Sequence, residues 1–385
     1  MSLSPFNFPS VDLPPAALAL REEVREFLAE EVASGSFVPV CDSWMARSAE
    51  FSEKLGARGW LGVIWPKEYG GHERSQLERF VITAEVVAWG APVAAHWVAD
   101  RQTGPLMLRV GTEEQRQKYL PRIARGEFFF SIGMSEPDAG SDLASVRTMA
   151  TKQADGNYLL NGTKVWTSGA HQSNAMVVFC RTAPKGDDRH AGFSQFIVET
   201  DQPGIQINPI NLINGEHHFN EVVFDNVELD ASQLLGKEGE GWAQVMGELA
   251  FERSGPERFL STFPLLQEMV NELRGSDDPR ASVVVGQLLA RVWSLYNMSM
   301  RVFGRLAAGM NADIEAVLVK ELGNRFEKEI AETCRLLLDI CPSDEGGSRV
   351  EVLMAEAILH SPGFTLRGGT SEILRGIVAR GLGLR

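Results

Sequence analysis

Cysteine is scarce: the 385 residues hold four, Cys41, Cys180, Cys334 and Cys341, with no pair at CxxC or other metal-ligand spacing. Thiols scattered in this way frame neither a disulfide scaffold nor a zinc site, so free thiols and no metal are expected. Long apolar runs are also missing. The densest, around 128–134 and from Met176 to Cys180, fall far short of the roughly 20 residues that a membrane-crossing helix needs. Positive charge is in deficit, 37 Lys and Arg against 51 Asp and Glu for a net charge of -14. That balance excludes a broad nucleic-acid surface and leaves room for a local basic pocket. The opening MSLSPFNFPSVDLPP has neither the basic flank nor the uninterrupted apolar stretch of a signal peptide, so a cytoplasmic location is expected. No GxGxxG lies between a strand and a helix; DAGSD, the nearest glycine-containing segment, does not fit. Internal repeats and low-complexity linkers are absent.

What is present is enough apolar material, 44% of residues, for two or three domains. From Pro15 to about Arg125 the pattern is helical. ALREEVREFLAEEV puts Leu20, Val24, Phe27 and Leu28 on one stripe, as a helix packed on one side requires. FSEKLGARGW, LERFVITAEVVAW and TEEQRQKYLPRIARG follow, the last opening on a Thr112 cap with acidic residues at the positive end of the helix. WPKEYGG, from Trp65 to Gly71, reads as a tight connection.

Near Phe128 the texture changes to short β-branched and aromatic runs separated by turns: NYLLNGTKVWTSG, NAMVVFCRT, FSQFIVET, IQINPINL and FNEVVFDNVEL. ADGNY and LNGT supply hairpin turns. No βαβ alternation is visible, so this is expected to be an antiparallel β domain. Helices return after Gly239. One is expected from about Trp242 to Leu273 with an interruption at Ser254-Gly255-Pro256, others from Ala281 to Met310 and from Ala316 to Ile340, and shorter ones near Glu351 and Ser371. The expected fold class is α+β: an N-terminal helical domain (1–127), a middle antiparallel β domain (128–234) and a C-terminal helical bundle (235–385).

Five segments in this order, WPKEYGG (65–71), SIGMSEPDAGSD (131–142), NGTKVWTSGA (161–170), FNEVVFDNVEL (219–229) and GGTSEILRGIVAR (368–380), make the chain resemble the acyl-CoA dehydrogenase family over almost its whole length. The resemblance implies FAD-dependent oxidation of an acyl-CoA thioester between Cα and Cβ. It also implies electron transfer to an electron-transfer flavoprotein and a homotetramer or other dimer-based assembly. It gives the Met134 backbone and the Ser135 hydroxyl to the polar edge of the flavin, Ser141 to its pyrophosphate, and Thr370 to the cofactor as well. Trp166 would lie beside the flavin ring and Ser168 near N5, with Thr167 a close alternative because successive strand residues face opposite ways. Small donors and Gly140 suit the approach of a large cofactor on chemical grounds alone.

The chemistry needs a carboxylate to take the Cα proton while donors polarise the thioester carbonyl. In many family members that carboxylate immediately precedes the Gly-Thr-Ser-Glu segment; here the position is Gly368, which has no side chain. A smaller subgroup carries the base on the first long helix of the C-terminal domain, and the matching residue is Glu252 in MGELAFERSG. Apolar neighbours Met246, Leu249 and Phe251 favour an inward direction. Desolvation on acyl binding would then raise its pKa towards its task. Glu248 is the reserve candidate, and Glu372 belongs to the helix start. Arg253 is expected to position the polar part of the ligand or brace the helix. Gly368 and Gly369 would line the thioester pocket and supply the carbonyl donor, a plain C-cap being the competing explanation.

Two segments depart from the family pattern. Loop 275–283 lacks the usual arginine and phenylalanine-glycine pair, with Arg280 its nearest charge, and 341–348 lacks the glutamine- and glycine-rich cofactor segment. Both bear on flavin affinity and on contacts across a subunit boundary. The departures keep two other functions in view, a partner subunit of a heteromeric dehydrogenase and a flavin oxidase or monooxygenase on the same scaffold. A helical binding module without cofactor is the bland alternative, which a yellow purified protein would dismiss.

Overall fold

A computed structural model describes residues 6–252, 255–343 and 346–384, without the side chains of 248–252. Helices α1 (Pro15–Ala33), α2 (Ala49–Ala57), α3 (Gln76–Ala88), α4 (Ala94–Val98), α5 (Gly104–Val110) and α6 (Glu113–Ala124) come first. Strands follow: β1 (Phe130–Gly133), β2 (Met149–Lys152), β3 (Tyr158–Ser168), β4 (Ala175–Arg181), β5 (Phe193–Glu199), β6 (Ile205–Asn211), β7 (His217–Leu229) and β8 (Leu234–Leu235). The chain then returns to helix in α7 (Gly241–Glu252), α8 (Phe263–Glu272), α9 (Pro279–Ala307), α10 (Asp313–Leu337), α11 (Arg349–Phe364) and α12 (Ser371–Gly381).

These elements gather into two compact units that are discontinuous in sequence: a helical unit of Met1–Arg47, Arg74–Val93 and Ala250–Arg385, and a sheet unit of Ser48–Glu73 and Ala94–Leu249. In the sheet unit the strands run β6-β7-β3-β2-β4-β5-β8, with β1 beside β4. Most pairs are antiparallel, but β1 and β2 each pair with β4 in parallel, so the sheet is mixed and not wholly antiparallel. Every residue of β4 is buried. Strand alternation sends Met176, Val178 and Cys180 into one apolar layer with Tyr158, Phe196 and Phe224, and Ala175 and Val177 into another with Tyr119, Ile123 and Phe130. The run NAMVVFCRT is continuously apolar because both its faces are covered. The antiparallel expectation missed the parallel pairs because an apolar strand carries no sign of its neighbour's direction.

The helical unit buries the predicted α1 stripe, Leu20, Val24, Phe27 and Leu28. Phe80 of α3 meets Tyr296 and Phe303 of α9 edge-on, at ring-centre distances of 5.0 and 5.3 Å. Gly323 lets α10 approach the turn at Pro256–Arg258: a Cβ there would sit 2.2 Å from the Arg258 carbonyl oxygen. The stretch expected to be helical from Trp242 to Leu273 with an interruption at Ser254-Gly255-Pro256 is two helices, α7 and α8, with the turn at Pro256–Arg258 between them, where proline disfavours a continuous ladder. Thr112 caps α6 in a reciprocal box with Gln115. Residues 94–110, which the periodicity did not mark, form α4, a π turn at Ala99–Thr103 and α5. All four cysteines are free. Among the described residues no helix is long and apolar enough to cross a membrane.

Candidate active site

In the sheet unit the two predicted flavin segments are stitched together. Val165 N–H donates to the Ser135 carbonyl at 2.9 Å, and the Lys164 ammonium to the Met134 carbonyl at 2.9 Å. Lys164 has no exposed surface, yet it also bonds Glu136 at 2.8 Å. That carboxylate in turn accepts the amides of Arg147 (2.6 Å) and Thr148 (2.9 Å). Burial alone would raise the Glu136 carboxyl, but Lys164 and these donors outweigh it and hold the group below its ordinary value. The motif letters around Met134 and Trp166 thus include a buried ion pair that shapes the turn, which the reading of the sequence did not single out. Nothing in the letters marks it, since a lysine inside a strand normally reads as a solvated face.

Trp166 takes a left-handed φ of 58° where the β3–β7 register shifts between Lys164 and Thr167. The bulge turns the indole outward: it is 57% exposed and held edge-on by Phe219 at 5.8 Å. Thr167 is buried, its carbonyl accepting from Asn220 at 3.0 Å, whereas Ser168 is half-buried. The bulge interrupts the alternation of the strand here, so the contrast between Thr167 and Ser168 is one of exposure: the first is covered and the second is open on one side. Ser141 is exposed in the turn after Gly140, where nothing lies within 4 Å of an added Cβ.

Helix α7 is moored at its start. Gln244 donates to the Leu235 carbonyl (2.9 Å) and accepts from Gln195 (3.1 Å), and Arg109 donates to the Gln244 carbonyl (3.1 Å). Glu252 is the last residue of this helix; its side chain and that of Glu248 lie outside the described residues, as does Arg253 altogether.

In the helical unit, Gly368 (φ 61°) and Gly369 (φ 100°) form the turn between α11 and α12. Thr370 is the N-cap residue of α12, although its side chain makes no cap bond to the backbone. The Glu372 carboxyl sits below its ordinary value, through its own backbone amide first and then the Thr370 hydroxyl, as a helix-start acid should. Arg280 grips Asp278, the N-cap of α9, through two guanidinium nitrogens (2.7 and 3.0 Å).

A charged cluster lies behind the glycine turn. Arg367 holds Asp42 with bonds of 2.7 and 2.8 Å and reaches Glu327 at 3.3 Å. Burial lifts the Glu327 carboxyl to about 7, against the opposing pull of Arg367 and Ser261. Because the folded value lies above the ordinary one, the native state holds this proton more tightly than the unfolded chain does. The resulting stabilisation is complete below the ordinary value of 4.5 and is lost as pH rises through about 7. The urea midpoint of the wild type relative to Glu327→Gln should fall across that window. A constant difference would remove Glu327 from the titration.

The N-terminal domain of acyl-CoA dehydrogenases matches residues 14–127, and their middle domain matches residues 131–227. Acyl-CoA dehydrogenase IpdE1 of Mycolicibacterium smegmatis is 32% identical, over 94% of this chain and 97% of that protein. The chain belongs to the acyl-CoA dehydrogenase family. Acyl-CoA dehydrogenase FadE29 of Mycobacterium tuberculosis is 30% identical, over 96% of this chain and 97% of that one. Among solved structures, a steroid acyl-CoA dehydrogenase named Tcur3481-Tcur3483 superposes with a TM-score of 0.85 at 28% identity, covering 97% of this chain and 99% of that one. The ChsE4-ChsE5 complex of Mycobacterium tuberculosis gives 0.79 at 28%, covering 98% and 99%. This dehydrogenase is thus an enzyme of acyl-CoA oxidation with the family's helical, β-sheet and helical architecture, and the family's members are flavoproteins that generally use FAD. Its sheet unit fits a flavin. An aromatic ring turned out at a bulge, part-exposed hydroxyls at Ser135 and Ser168 and open space at Gly140 are the surface that a planar, polar-edged ring system with a pyrophosphate tail requires.

Proposed function

We propose that this dehydrogenase converts an acyl-CoA thioester to its trans-2-enoyl-CoA, with Glu252 removing the Cα proton. The observation that carries the choice of base is the left-handed glycine at 368, a position without a side chain, so the carboxylate must come from another element. Glu252, at the end of the moored helix α7, is the family-matched residue, with Glu248 in reserve. FAD, when bound, would supply the acceptor for the hydride leaving Cβ, with an electron-transfer flavoprotein as the partner that takes up the electrons. Met134, Ser135, Ser141, Trp166, Ser168 and Thr370 would hold the FAD. Gly368 and Gly369 would line the thioester carbonyl, and Arg253 the polar part of the ligand. The bounds 1–127, 128–234 and 235–385 remain the proposed domains, in a homotetramer or other dimer-based assembly.

Mixing the yellow enzyme without oxygen against straight, branched and cyclic acyl-CoAs should bleach the flavin with at least one class. A panel that leaves the colour untouched, in protein carrying full flavin, would refute the dehydrogenase. Rapid recolouring by oxygen after bleaching would favour an oxidase.

Loops 275–283 and 341–348 favour a second reading, as a subunit that needs an unlike partner. The names of two structural neighbours, Tcur3481-Tcur3483 and ChsE4-ChsE5, each join two proteins. Under that reading the chain alone would purify colourless and gain flavin only with a second chain.

A further inference from the structure

Helix α10 carries Lys320, Asn324 and Glu327 on one face, all without solvent exposure. Apolar residues would pack there at lower cost, since a charge removed from water needs specific partners in return. The partners of Lys320 are informative. Its ammonium donates to two consecutive main-chain carbonyls, that of Arg367 at 2.8 Å and that of Gly368 at closer range. The side chain of Arg367 is held as well, by Asp42, by Glu327 and by the Trp44 ring 3.7 Å beneath the guanidinium. Glu327 is fixed in turn by the Ser261 amide at 3.1 Å.

These bonds end at the residues that most need fixing. Two successive glycines at positive φ have more conformational freedom than any other pair, and such a turn points its donors reliably only if something outside it sets the backbone. Lys320 takes the carbonyl side of the turn. Among the described residues no backbone bond engages the amide N–H of Gly368 or Gly369, so the donor side stays open.

We propose that Lys320 is a positioning residue for the acyl thioester: by holding the carbonyls of Arg367 and Gly368 it aims the amide groups of the Gly368–Gly369 turn at the thioester carbonyl. Asp42, Glu327 and Trp44 brace Arg367 for the same purpose. The inference rests on the dehydrogenase reading of the glycine turn and adds a residue remote from the reacting atoms. Polarising the carbonyl makes the α protons acidic, so the effect falls on proton removal and not on flavin binding.

The test uses flavin-loaded Lys320→Met and tert-butylacetyl-CoA, whose Cα carries protons and whose Cβ carries no hydrogen to transfer. Release of its α protons into deuterated water should slow about 100-fold, as for a carbonyl displaced from its donors. With the acyl-CoA that bleaches the wild type, kcat should fall and KM change little. Amide exchange of the segment 365–371, followed by mass spectrometry without any acyl-CoA, should quicken. A purely structural lysine would lower thermal stability and leave proton release by the folded holoenzyme unchanged; that result overturns the proposal. Should Lys320→Met not accumulate, Arg367→Lys is read in the same way. Wild-type enzyme that releases no α proton would count against the dehydrogenase reading, and the exchange of 365–371 would still decide whether Lys320 fixes the turn.

Discussion

Glu252→Gln should keep its flavin and lose turnover, with reduction by acyl-CoA slowed by about 10²–10⁴-fold, the range that a positioned general base contributes. An α proton beside a thioester is a weak acid, and a glutamine of the same shape has no basic site for it. The substitution lies at the far end of α7 from the Gln244 bonds that moor the helix, so the fold and the bound cofactor should survive. Stopped-flow reduction under anaerobic conditions, with flavin content measured alongside, reads both. Wild-type rates would refute the assignment. If Glu248→Gln shows the loss instead, the base is one turn earlier on the same helix.

The second large effect is on stability. Lys164→Met should lower the unfolding free energy by about 3–5 kcal/mol, the usual result of removing one partner of a buried ion pair and leaving the other charged. Glu136 would keep the amides of Arg147 and Thr148 but lose its only strong counter-charge among the bonds described above. A urea titration gives the change, and Lys164→Met with Glu136→Gln should recover much of it, because the stranded charge is then gone. A double variant no better than the single would mean that the lysine stem, and not the pair, carries the stability. The Met134–Ser135 turn is tied to β3 through the same ammonium, so flavin content should fall with stability.

Periodicity and turn residues were enough to read the order of helical and β segments, the α1 stripe and the Thr112 cap, since these depend on local physics. They could not show that α3 belongs with the C-terminal helices and α2 with the sheet. An amphipathic stripe says which face is covered, not what covers it. The π turn at Ala99–Thr103 escaped for a related reason: its wider bonding pattern is set by packing, and no residue type marks it. In the candidate site the outward turn of Trp166 depends on a bulge with a left-handed residue, which no pattern of residue types announces, and the greater burial of Thr167 than of Ser168 follows from packing. Lys164 and Lys320 were missed because each, read by itself, is an ordinary charged residue on a regular element. Only the packed structure reveals that their ammonium groups end on main-chain carbonyls.

The left-handed backbone at Gly368 also limits how this enzyme could be rebuilt. Grafting a glutamate there, to imitate relatives that keep their base at this position, would force an L side chain into a conformation disfavoured by roughly 1–2 kcal/mol. It would also load a loop whose oxygens are already gripped from behind. Relocating the acid between the two sites is therefore no single-step exchange: the loop geometry and the lysine behind it would have to change together.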